Sequence, residues 1–141
     1  MAELSVPART GNLDRLIDFI VSGSKAVGFS NKQLKEIHLA SEEILVNIIS
    51  YAYADRSEPG DVKVRYTRLH DDPGIRVEFL DSGVPYDPLG RPDPDVSLPL
   101  EERQTGGLGL FLVKSVMSSV TYKRIGETNC LTIEKLKQGG G

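Results

Sequence analysis

The hydrophobic period of this chain changes sharply at one polar break, and that change constrains the fold more than any other feature. Before the break, Leu34, Ile37, Ser41, Ile44, Leu45, Ile48 and Ile49 trace a stripe at three-to-four spacing. The stripe predicts a long helix that Ser30 or Asn31 can cap and that ends near Tyr53. The stretch from Asp55 to Asp61, with Pro59 and Gly60, reads as a turn. Beyond it Val62, Val64 and Tyr66 alternate with Lys63, Arg65 and Thr67. After a second turn from His70 to Gly74, Ile75, Val77 and Phe79 alternate with Arg76 and Glu78. Two such runs predict an antiparallel hairpin. A chain with both patterns must bury a helical stripe against the apolar face of a sheet.

The flanking segments extend this picture. Leu4 and Val6 before Pro7 suit a short edge strand, because proline cannot donate to a central ladder. After Gly11 and the capping-type Asn12, Leu13, Leu16, Ile17, Ile20 and Val21 predict a first helix that stops by Gly28. From Ser82 to Gln104 periodicity disappears and five of the eight prolines accumulate. A connection this long in a compact domain reads as a ligand-covering loop. Leu108 to Val120 reads as a third helix, with Phe111 and Met117 as core. Thr121 to Arg124 and Cys130 to Leu136 flank Gly126 to Asn129 as a final hairpin. The expected fold is α+β: a two-layer sandwich with a mixed, mostly antiparallel sheet and helices on one face. A single domain is expected over residues 1–138, with a frayed tail at 139–141.

Composition narrows the chemistry. Lysine and arginine number 17 against 20 aspartate and glutamate, a net charge of −3. The chain has no basic excess with which to neutralise a nucleic-acid backbone or an anionic membrane. Cys130 has no intrachain partner, and one cysteine with two histidines falls short of a closed structural zinc site. Cys130, among apolar strand residues, is expected to be a buried structural thiol. His38 and His70 have solvated settings. Catalysis or binding therefore falls to carboxylates, amides, backbone groups or a bound cofactor. Glu3, Arg9, Asp14 and Arg15 interrupt the N-terminal segment, which argues against a signal peptide and predicts a soluble, cytoplasmic protein.

Three local constellations carry chemistry, each weak alone. Glu43 and Asn47 lie one helical turn apart, so a carboxylate and an amide share a face. The carboxylate could orient or deprotonate a hydroxyl, and the neutral amide could ligate a hard divalent cation. A pair of solvated side chains fits the same spacing. Asp81-Ser82-Gly83-Val84-Pro85 follows a strand, so Asp81 could accept from an exocyclic amine while Gly83 lets a flat ring approach the backbone. An ordinary turn has the same composition. Thr105-Gly106-Gly107-Leu108-Gly109-Leu110 precedes a helix and could aim backbone amides at phosphate oxygens. It is neither a Walker A loop nor a dinucleotide fingerprint, and a plain loop entering a helix reads the same way.

Order and spacing distinguish the set from its parts. Together the three resemble the boxes of the GHKL (Bergerat) ATP-binding fold, shared by histidine kinases, gyrase, heat-shock protein 90 and MutL. The short form, with Ser41-Glu42-Glu43-Ile44-Leu45-Val46-Asn47 and Tyr51-Ala52-Tyr53, looks most like the bacterial anti-sigma-factor serine kinases. Those relatives often have histidine where this chain has Tyr51. The resemblance covers nearly the whole chain, from the first helix to Leu131-Thr132-Ile133.

The resemblance implies that Asn47 holds a magnesium ion bridging the ATP phosphates, that Glu43 is the general base and that Asp81 accepts from the adenine amine. Gly83 would lie against the base. Gly106, Gly107, Gly109 and the Leu108 and Leu110 amides would line the phosphates, with Arg103 and Thr105 closing the lid. Thr132 would support Asp81 through water. It further implies a homodimer, a STAS-type anti-sigma-factor antagonist as phosphoacceptor on serine, and a sequestered sigma factor. A nucleotide-dependent binding regulator without transfer, or a slow ATP hydrolase, would use the same fold. Neither histidine sits in a dimerisation helix of the histidine-kinase type.

Overall fold

The computed structural model describes residues 1–85 and 107–137. Its elements run β1 (Ala2–Pro7), α1 (Leu13–Lys25), α2 (Asn31–Asn47), β2 (Asp61–Leu69), β3 (Gly74–Asp81), α3 (Gly107–Val116), β4 (Ser119–Ile125) and β5 (Thr128–Leu136). The expected tail at 139–141 lies outside the described residues. Among the described residues no helix is long and apolar enough to cross a membrane.

The five strands form one sheet in the order β1-β2-β3-β5-β4. All its pairings are antiparallel, which corrects the expectation of a mixed sheet. The chain leaves β3, passes through α3 and lays β4 on the far edge, then doubles back so that β5 fills the gap beside β3. β4 runs parallel to β3 but never touches it. β1 takes an edge, as Pro7 requires. The register sets Val64 opposite Phe79, Phe79 opposite Leu131, and Leu131 opposite Tyr122. Strand alternation then gathers these side chains on one face.

The helices cover that face. Leu16 and Ile20 of α1, Ile37 and Leu45 of α2 and Val113 of α3 meet Val62, Val77, Phe79 and Ile133 in one core, all 0–1% exposed. The helix-free face is polar, with Arg65 bidentate to Glu78 at 2.9 and 3.2 Å and Arg76 on Glu134 at 2.7 Å. Cys130 is buried but on this second face: its Sγ lies 3.9 Å from Glu78 Oε2 and 3.8 Å from Thr132 Oγ1. Its alternation with Leu131 decides the side.

Local signals explain most boundaries. Ser30 caps α2 in a complete capping box: its Oγ accepts from the Gln33 N–H at 3.2 Å, and its own N–H donates to Gln33 Oε1 at 3.0 Å. Asn12 does not cap α1 with its side chain. A 3₁₀ turn over Thr10–Asn12 intervenes, and Asn12 Nδ2 donates back to the Pro7 carbonyl at 2.8 Å. The third helix ends at Val116, so Val120 belongs to β4 and faces inward opposite Ile133. Gly126 takes φ 60° in the two-residue turn between Ile125 and Thr128, the positive φ that such hairpins demand at their first central position.

Lys135 occupies an inward position of β5 and is 8% exposed. Its Nζ donates to Glu36 Oε1 of α2 at 3.0 Å and to the Val116 carbonyl at the end of α3. A cation thereby satisfies a helix C-terminus and ties two helices together.

Candidate functional site

A cleft opens between the C-terminal half of α2, the ends of β3 and β5, and α3. Its walls are apolar, from Ile44, Ile48, Phe79, Leu110, Val113 and Leu131, and its polar groups are few: Glu43, Asn47, Asp81 and Asn129 with the two tyrosines Tyr51 and Tyr122. Few convergent polar groups in an apolar wall are the usual makeup of a small-molecule site.

Glu43 and Asn47 come to the cleft because four residues on α2 make one turn. Both are half-buried, and among the described residues neither side chain has a hydrogen bond or ion pair. Glu42 instead faces outward, 3.5 Å from His38. Directly after Asn47 the helix widens into a π-helical turn over Ile48–Ala52, a feature that the apolar spacing did not reveal and that often accompanies functional sites. The widened turn delivers the Ala52 carbonyl to the Val84 N–H at 3.0 Å. It also places Tyr53, whose hydroxyl donates to the Asp61 carbonyl at 2.6 Å and accepts from the Ser82 N–H at 2.8 Å. Burial is the largest influence on this phenol and raises its pKa above the ordinary value; the Ser82 N–H pulls the other way.

Asp81 ends β3, 7% exposed. Its Oδ1 accepts from the Gly83 N–H at 2.9 Å and from Asn129 Nδ2 at 3.0 Å. Oδ2 has no partner among the described residues. The following turn is held from all sides. Arg124 Nη1 donates to the Gly83 carbonyl at 2.9 Å, Arg56 Nη2 to the Ser82 carbonyl at 3.0 Å, and Asn129 Nδ2 to the Val84 carbonyl at 2.8 Å. Gly83 is required there: a Cβ would meet the Ala52 carbonyl oxygen at 2.1 Å.

The first turn of α3, from Gly107 through Leu108 and Gly109 to Leu110, lies against Glu43. Among the described residues its N–H groups have no intrahelical acceptor, and the positive end of the helix dipole lies at this turn. Arg103, Thr105 and Gly106 lie outside the described residues. Thr132 is a correction. It pairs with Glu78 and Thr121 on the helix-free face, the opposite side of the sheet from Asp81. The residue across from Asp81 is Asn129, which sequence reasoning passed over because an asparagine near a hairpin turn reads as punctuation. Counting back from Leu131 by strand alternation would have found it.

The donor set fits a purine nucleotide. Asp81, an acceptor among apolar walls, suits an exocyclic amine, and the unpaired Asn47 amide with the start of α3 suits phosphates. No group of three or more His, Cys, Asp or Glu side chains among the described residues could hold a metal. Asn47 itself would offer a cation one neutral amide oxygen, a sparse protein contribution of the kind magnesium accepts beside phosphate and water.

Comparison with known proteins identifies the family. The chain belongs to the histidine-kinase-like ATPase domain family, whose model matches residues 6–135. Within it, the chain is similar to the proteins named serine-protein kinase RsbW of Staphylococcus aureus strains RF122 / ET3-1 and MRSA252. Each is 30% identical over 139 residues, covering 92% of this chain and 84% of the relative. The crystal structure of the RsbU and RsbW domains of a Mycobacterium tuberculosis protein shares the fold, with a TM-score of 0.65 at 14% identity. That match covers 96% of this chain and 32% of the longer one, so the chain spans about a third of that protein's length.

Proposed function

We propose that this chain is an ATP-dependent serine/threonine protein kinase of the anti-sigma type. It transfers the γ-phosphoryl group of ATP to a serine of a STAS-type anti-sigma-factor antagonist and sequesters a sigma factor. It works as a cytoplasmic homodimer, a single domain over residues 1–138, without direct contact to nucleic acid or membrane. The supporting observation is the convergence on one cleft of Asp81 Oδ2, the Asn47 amide and the Glu43 carboxylate, none of them satisfied by another described side chain.

Each group has a role that its setting supports. Asp81 accepts from the six-amino group of adenine through Oδ2, and Gly83 keeps the turn close enough for it to do so. Asn47 offers a neutral oxygen, adding no negative charge near the phosphates. Magnesium bound there would neutralise charge on the transferring group. The amides of Gly107, Leu108, Gly109 and Leu110 face the phosphates at the start of α3, and Arg103, Thr105 and Gly106 are assigned to the same phosphate-binding segment. Glu43 orients the acceptor serine and takes its proton as the bond from phosphorus to the ADP oxygen breaks and the bond to serine Oγ forms. A net charge of −3 agrees with protein rather than nucleic-acid partners.

The test is transfer of label from γ-labelled Mg-ATP to a STAS-domain antagonist. Wild type labels the antagonist on serine, and Glu43→Ala retains ATP but loses transfer. Transfer undiminished in Glu43→Ala overturns the base assignment. Tight ATP binding with no transfer to any antagonist leaves a nucleotide-dependent binding regulator.

A further inference from the structure

Asp81 owes its orientation to a chain of side chains that crosses three strands on the helix-covered face. Tyr122 OH of β4 donates to Asn129 Oδ1 of β5 at 2.5 Å. Asn129 Nδ2 donates in turn to Asp81 Oδ1 at 3.0 Å and to the Val84 carbonyl at 2.8 Å. Tyr122 pairs with Leu131 rather than with Asn129, so its ring leans diagonally along the sheet to make the contact.

The chain has one consistent direction. Reversing the Asn129 amide would set its carbonyl oxygen against two acceptors, the Asp81 carboxylate and the Val84 carbonyl. With the amide as found, every polar atom of a residue only 6% exposed is used. Without the Tyr122 hydroxyl, Asn129 Oδ1 would be buried and unpaired, and the side chain would gain by rotating away. Asp81 would then keep only the Gly83 N–H on Oδ1, one donor instead of two, and its carboxylate plane would no longer be fixed. The oxygen left over, Oδ2, has no partner among the described residues and belongs to a side chain that lines the cleft.

We propose that Tyr122 and Asn129 are positioning residues for base recognition: they fix the plane of the Asp81 carboxylate so that Oδ2 meets an exocyclic amine. The preference of the cleft for a six-aminopurine nucleotide thus depends on a hydroxyl on the last hairpin that makes no bond to Asp81 itself. This rests on the nucleotide-binding reading above and extends it to two residues on the last hairpin.

The test compares Mg-ATP with the Mg complex of purine riboside triphosphate, the same nucleotide without its amine, by calorimetric titration of wild type, Tyr122→Phe and Asn129→Ala. Wild type should prefer ATP. In both variants ATP binding should weaken about tenfold, the scale of a hydrogen bond to a charged group. Binding of the amine-free nucleotide should change less than about twofold, so the preference collapses. Equal weakening of both nucleotides would assign the pair a merely structural role and overturn the proposal. So would an undiminished preference in Tyr122→Phe, which keeps the ring and differs only by the hydroxyl. A wild type that binds both nucleotides equally would refute the Asp81 assignment itself, a failure distinguishable from that of the relay, which falls with it.

Discussion

Glu43 and Gly109 meet with no room between them: a Cβ at Gly109 would lie 2.4 Å from Glu43 Oε2. The neighbour in the way is the far end of a flexible side chain, so Gly109→Ala can be accommodated by swinging the carboxylate aside. Replacing a helical glycine by alanine by itself favours the helix by roughly 0.5–1 kcal/mol. The variant should therefore unfold at the same or a slightly higher denaturant concentration, yet lose phosphoryl transfer by about tenfold or more, since a displaced base no longer meets the hydroxyl. Parallel unfolding and transfer assays check this. A variant with normal transfer would separate Glu43 from the chemistry.

Gly83→Ala should behave in the opposite way. Its Cβ would meet backbone, the Ala52 carbonyl oxygen at 2.1 Å, which also accepts the Val84 N–H. Backbone cannot swing aside. The expected cost is about 2 kcal/mol or more, read as a lower urea midpoint, together with loss of ATP binding as the Asp81 turn moves out of place.

Lys135 links Glu36 to the end of α3 from an inward strand position. Lys135→Met keeps much of the volume but leaves Glu36 and the Val116 carbonyl without their donor. Stability should fall by about 2 kcal/mol. The double variant Lys135→Met, Glu36→Gln should recover part of that loss, because the uncompensated charge is gone. Chemical denaturation of wild type and the two variants measures both effects.

Tyr53 predicts a response to alkaline pH. Its phenol is raised above the ordinary value by burial first of all, so the folded state holds the proton more tightly than the unfolded one. The resulting contribution is fully present below the ordinary phenol pKa of about 10 and is lost as pH rises through the folded value. Unfolding free energy measured from neutral pH upward should decline across that window in wild type. Tyr53→Phe should start lower, for want of the Ser82 and Asp61 bonds, and decline less steeply.

Much of the architecture was legible because its signals are periodic. The α2 stripe, the alternation of β2 and β3 and the Pro7 edge strand all appear at their expected places. What escaped depends on geometry that periodicity does not encode. Ile48 and Ile49 fit an α-helical stripe, yet their segment winds as a π turn. Val116 to Val120 satisfies either period, and the chain turns into a strand there. Thr132 falls on the wrong side by one step of alternation, and Lys135 is buried despite a side chain that reads as solvated. Glu43, Asn47 and Asp81 could be singled out by type and spacing. Their meeting in one cleft depends on long-range packing, as does the part of Asn129 and Tyr122.

The most direct test of the account is a calorimetric titration of the purified chain with ATP and GTP, each with and without magnesium, at one protein concentration. Tight, magnesium-dependent binding of ATP in preference to GTP, severely weakened in Asp81→Asn and in Asn47→Ala, is the predicted result. No binding of either nucleotide at millimolar concentration, or equal binding of ATP by wild type and Asp81→Asn, would contradict it.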